Sequence, residues 1–160
     1  MDYFQGVVAE FLRANRSTFI NTECLLQLQP GDAPAKGEHW YCDVVSVNFQ
    51  EETVYLCEVT YSKTMHSLLA RLAAWSKVWS RLTEAIVRDC HVPPGWRVQP
   101  WVFIPSAHED LFNKKMTASN ISADALIAMP MPRITHLERV VPWNYPSWNR
   151  TLEDTEDKAY

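Results

Sequence analysis

Residues 39–61 read HWYCDVVSVNF-QEE-TVYLCEVTY, and this stretch decides the fold. Two runs rich in β-branched and aromatic residues, His39–Phe49 and Thr53–Tyr61, flank the polar turn Gln50-Glu51-Glu52, the pattern of two strands joined as an antiparallel hairpin. Each run is interrupted by one acid, Asp43 in YCDVVSV and Glu58 in YLCEVTY. A carboxylate among apolar neighbours is costly unless it is paired, hydrogen-bonded or metal-bound, so both acids are candidate functional residues. The alternative is that they are polar positions of a half-exposed hairpin.

Working outward toward the amino terminus, Phe4, Val7, Val8, Phe11 and Leu12 recur at helical intervals, which predicts an amphipathic helix over 2–15 capped by Asp2. Thr22–Gln29 reads as a first strand, ended by the turn Pro30-Gly31-Asp32. On the carboxyl side, Leu68, Leu72, Trp75, Trp79, Leu82 and Ile86 fall on one face at about 100° per residue, predicting one long helix over 64–90. Trp75 and Trp79 are then core residues. Lys63, His66, Lys77, Arg81 and Arg88 lie on the far side, a basic stripe that suits either plain solvation or phosphate contact.

Arg97–Ile104 is a fourth strand, with Pro100 suggesting an edge or a bulge. Ser106 and Glu109 have the spacing of a capping box opening a helix through Met116. Residues 121–128 read as a short helix and Ile134–Val141 as a last strand. Pro142–Trp148 reads as an aromatic loop whose Trp143, Tyr145 and Trp148 either stack on bases or pack over the sheet. The expected architecture is an α/β (α+β mixed sheet) domain over 1–150, followed by an acidic tail, 151–160, too polar to pack.

Composition narrows the function classes. At 160 residues with 47% hydrophobic residues, the chain can bury a single core. Cys24, Cys42, Cys57 and Cys90 are widely spaced with no CxxC pair, so they read as structural thiols rather than zinc ligands. No run of about 18 apolar residues and no secretory leader is evident, which predicts a cytoplasmic protein without a membrane partner. The chain has four glycines, and no P-loop, GxGxxG or GxSxG element, so nucleotide-cradling enzymes and α/β-hydrolases are poorly matched. A net charge of −4 favours a basic partner over a polyanion, although a local basic stripe can still bind phosphates.

The order helix-strand-strand-strand-helix-strand-helix, with Asp43 on the second strand and Glu58 on the third, resembles the PD-(D/E)XK, or restriction-endonuclease-like, superfamily. The resemblance extends through SLLARLAAWSKVWSRL to about residue 105. It implies a restriction-endonuclease-like core and an endonuclease or exonuclease acting on DNA or RNA. Asp43 and Glu58 would hold Mg²⁺ or Mn²⁺, two hard carboxylates for a cation that also takes water and phosphate oxygens, and Glu10 is the first-helix candidate. The motif's lysine falls at Thr60, which carries no charge, and Lys63 is the nearest replacement. Lys77, Arg81 and Arg88 would contact phosphates. A different class of function also fits: a small acidic interaction protein, of immunity or adaptor type, that binds a basic protein partner through tryptophans.

Overall fold

A computed structural model of the chain describes residues 2–30, 39–118 and 128–142. Its elements are α1 (Tyr3–Arg13), β1 (Thr18–Gln27), β2 (His39–Asn48), β3 (Thr53–Val59), α2 (His66–Lys77), α3 (Trp79–Cys90), β4 (Arg97–Ile104), α4 (Glu109–Ala118) and β5 (Arg133–His136), with 3₁₀ turns at Ser106–His108 and Leu137–Arg139. The five strands form one sheet in the order β1-β2-β3-β4-β5. β1, β2 and β3 are antiparallel neighbours, whereas β3, β4 and β5 run parallel.

The mixed sheet follows from chain connections. A short turn can join only antiparallel strands, and a parallel return needs a crossover long enough to hold a helix. Phe49–Glu52 is such a turn, while 60–96 and 105–132 are such crossovers. Strand alternation then divides the core into two layers. Val45, Val54, Leu56, Val98, Val102 and Ile104 pack against Leu68, Leu72, Trp75, Leu82 and Ile86 of α2 and α3, with Phe112 and Met116 of α4. On the other face Val44, Tyr55, Cys57, Trp101 and Phe103 pack against Val8 and Leu12 of α1. Trp75 and Trp79 are core residues, as their helical spacing predicts.

Several sequence expectations are corrected. The long helix of 64–90 is two helices, broken at Val78, whose backbone (φ −126°, ψ 20°) leaves the helical region. The break re-aims α3 while keeping Trp75 and Trp79 buried, and it interrupts the straight basic stripe, placing Lys77 on α2 and Arg81 and Arg88 on α3. Lys63 precedes the first helical residue altogether. β1 starts at Thr18 instead of Thr22, because α1 stops at Arg13 and the β-branched and aromatic residues Thr18-Phe19-Ile20 extend the ladder to Asn48.

Pro100 sits in an interior strand, not at a sheet edge. It pairs with Leu56 of β3, and β5 joins β4 only from Trp101 onward, so β4 is edge-like on that side at Pro100. The expected capping box of Ser106 and Glu109 is not formed. Ser106 hydrogen-bonds Glu138 through its amide and hydroxyl, and Glu109 pairs with His136 at 2.5 Å, tying the start of α4 to β5. The last strand is Arg133–His136 alone, a 3₁₀ turn replacing the rest of Ile134–Val141. The expected helix at 121–128, the loop residues 143–148 and the tail 151–160 lie outside the described residues, apart from Ala128. The four cysteines are free thiols, Cys42 and Cys57 buried and Cys24 and Cys90 half-buried. Among the described residues no helix is long and apolar enough to cross a membrane.

Candidate functional site

The β2–β3 ladder runs from Asn48↔Thr53 to Val44↔Cys57, and the next step in that register sets Asp43 opposite Glu58. Backbone pairing gives way there. The Asp43 carboxylate takes the vacant rung, its Oδ2 accepting the Val59 amide at 2.8 Å. Glu58 is the penultimate residue of β3, so the pair lies toward the carboxyl ends of the parallel strands, where sheets of this kind open into a crevice.

α1 supplies the second contact through a capping box. The Asp2 side chain accepts the Gln5 amide, and Gln5 Oε1 accepts the Asp2 amide at 2.8 Å. That bond fixes which end of the Gln5 amide faces the sheet, and its Nε2 donates to Asp43 Oδ1 at 2.9 Å. The capping box is therefore both the start of the helix and the clamp on a strand carboxylate.

The third contact comes from Arg71 of α2. Its Nη1 donates to Glu58 Oε2 and lies 3.7 Å from Asp43 Oδ1, so a single guanidinium nitrogen faces both carboxylates. Glu58 is only 3% exposed, and its other oxygen, Oε1, is buried with no hydrogen-bond partner. Burial foremost, with the Asp43 charge next, pushes the Glu58 carboxyl from 4.5 up to about 8, against the pull of Arg71. Burial also raises Asp43, countered by the Val59 amide and Arg71. At neutral pH the Glu58 carboxyl thus largely keeps its proton, which spares the buried cluster a second full negative charge beside Asp43.

The remaining sequence candidates stand apart from this cluster. Glu10 projects to solvent and pairs with Arg13 at 2.5 Å, and Gln5 is the α1 residue at the site. Thr60 lies one residue beyond β3. Its amide donates to Phe103 and its hydroxyl accepts the Ser62 amide at 3.2 Å. Lys63 is exposed in the link to α2. Lys77 and Arg81 are exposed on separate helices, while Arg88 is half-buried, bonded to the carbonyl of Gln27 at 2.9 Å and paired with Asp89 at 2.6 Å. Arg88 thus ties α3 to the end of β1, and Lys77, Arg81 and Arg88 do not form one continuous stripe.

Neither Gln5 nor Arg71 breaks an apolar run in the sequence as Asp43 and Glu58 do. Arg71 did leave a signal, because it stands three residues after Leu68 and four before Trp75, a charge on the buried side of a helix. Gln5 left a weaker one, the Asp2–Gln5 capping spacing.

Among the described residues no group of three or more His, Cys, Asp or Glu is placed to hold a metal ion. The cluster offers two carboxylates, which is the number Mg²⁺ ordinarily takes from a protein when phosphate and water complete its shell. The orphaned, buried Glu58 Oε1 beside Asp43 fits such a cation, since a divalent charge would supply the partner that the protein does not. No protein-family model matches the sequence, and no curated protein and no solved structure matches it.

Proposed function

We propose that the protein acts on the phosphodiester backbone of DNA or RNA as a nuclease-like protein of the PD-(D/E)XK type, with Asp43 and Glu58 as the ligands of Mg²⁺ or Mn²⁺. The observation that carries the reading is the convergence of two strand carboxylates on one guanidinium nitrogen, with a buried Glu58 oxygen left without a partner. The element order supports it as well, one helix, three strands, helices, a strand and a helix, with the acids on the second and third strands.

A bound divalent cation would supply Lewis-acid polarisation of a phosphate oxygen and a more acidic water. The chain's own residues have distinct parts. Asp43 is held rigid by Gln5 and the Val59 amide, so its geometry is set before any ligand arrives. Glu58 carries a proton at neutral pH that it must give up to become a ligand. Arg71 brings to the two carboxylates a positive charge that Thr60 does not, and it is suited to hold an anionic phosphate oxygen.

Thermal unfolding with and without Mn²⁺ tests the ligand assignment. Binding to the folded state alone raises stability by about 2.7 kcal/mol at a hundredfold excess over Kd, a shift of several degrees. Asp43→Asn and Glu58→Gln each abolish the shift, and an equal shift in the double variant places the ion elsewhere. Metal-dependent cleavage of plasmid and single-stranded substrates tests the activity. A wild-type protein inert toward all of them, and stabilised by no divalent ion, would return the reading to an interaction protein.

A further inference from the structure

Two exposed tyrosines stand at the rim of the carboxylate cluster. Tyr3 is 78% exposed and Tyr61 is 62% exposed, although each is a large ring that ordinarily gains by burial. They are joined through Phe4, which meets Tyr3 edge-on with ring centres 5.4 Å apart and stacks on Tyr61 at 4.9 Å with planes within 4° of parallel. Two of the three rings lie close along the chain to residues that bond Asp43. Phe4 precedes Gln5, whose amide nitrogen donates to Asp43 Oδ1, and Tyr61 follows two residues after Val59, whose backbone amide donates to Oδ2. Two residues of extended chain span at most about 7 Å, so Tyr61 cannot lie far from the site.

Two lysines border the row. Lys63 is exposed just beyond Tyr61, and Lys115 of α4 reaches the same link, its Nζ donating to the Thr64 carbonyl at 3.0 Å. Among the described residues a second aromatic group, Phe19 and Phe49 with Trp96, differs in place. It sits at the far end of the hairpin, beside the Phe49–Glu52 turn.

We propose that Tyr3, Phe4 and Tyr61 form a stacking platform for an unpaired base of single-stranded nucleic acid, next to the phosphate that Arg71 and a divalent cation on Asp43 and Glu58 would hold. The inference rests on the phosphodiester reading and adds strandedness to it. Phe4 backs Tyr61 and fixes its plane, so the ring is already oriented when a base arrives. Stacking on a preset ring tolerates any base, because every base presents a π-face, while the lysines follow the backbone. A base paired within a duplex has both faces covered by its neighbours and cannot use the platform.

The test is anisotropy of a short fluorescein-labelled single strand and of its duplex, near 50 mM salt with Ca²⁺ in place of Mg²⁺, about where phosphate contacts are still strong. Tyr61→Ala and Tyr3→Ala weaken single-strand binding, Tyr61→Ala by about 5- to 100-fold, and leave duplex binding within about twofold. Tyr61→Phe keeps wild-type affinity, since the ring and not the hydroxyl makes the contact. Both tyrosines are exposed, so melting temperatures stay near wild type. Single-strand binding unchanged in both alanine variants overturns the platform and leaves the phosphodiester reading standing. Loss in Tyr61→Phe equal to that in Tyr61→Ala overturns stacking in favour of a hydroxyl contact. A wild-type protein that binds neither strand form defeats both the platform and the reading beneath it.

Discussion

Replacing Glu58 by glutamine removes a buried titrating group while keeping its shape, and the consequence for stability against pH can be worked out in advance. The Glu58 carboxyl is pushed from 4.5 up to about 8 in the folded protein, by burial first and by Asp43 second. Between those two values the folded state binds a proton that the unfolded chain has released. Stability contributed by Glu58 is therefore fully present below pH 4.5 and is lost as pH rises toward 8. A shift of that size, at 1.36 kcal/mol per unit, sets an upper limit of about 5 kcal/mol. Glutamine binds no proton, so this slope vanishes in Glu58→Gln. Urea unfolding of both proteins in EDTA, at intervals from pH 5 to pH 9, reads the effect directly. The variant gains on the wild type with each pH step up to about pH 8. Parallel stability curves for the two proteins would refute the assignment of a neutral, buried Glu58 acid.

Arg71→Met removes the only cation that the described contacts place on both carboxylates. Its side chain is 28% exposed, so the loss is about 2–3 kcal/mol at pH 9 and smaller at pH 5, where Glu58 is neutral, a difference that the same urea series measures. Gln5→Ala breaks the capping box and the bond to Asp43 together, lowering stability by about 1–2 kcal/mol and weakening the Mn²⁺-induced thermal shift, whereas Glu10→Ala leaves that shift intact.

The hairpin, the amphipathic first helix, the buried Trp75 and Trp79 and the mixed α/β class were legible in the sequence, because each rests on local periodicity and turn chemistry that act within a few residues. Asp43 and Glu58 were legible for a related reason. An acid inside a β-branched run is visible as a break in pattern, and antiparallel register carries the two acids to the same rung once the turn is known.

Tertiary structure decided the remainder. The helix over 64–90 has an unbroken apolar stripe, and nothing in it marks Val78 as a break, since packing two helices on a twisted sheet sets that bend. Pro100 reads as an edge residue locally, yet the length of β5 determines how much of β4 is covered. Arg88 reads as a solvent-facing charge until the end of β1 is seen to offer it two carbonyls. The partners of the acids were the least legible of all. Gln5 is separated from Asp43 by 38 positions and Arg71 from Glu58 by 13, and long side chains of this kind are matched by how elements dock, a three-dimensional relation that spacing along the chain does not encode.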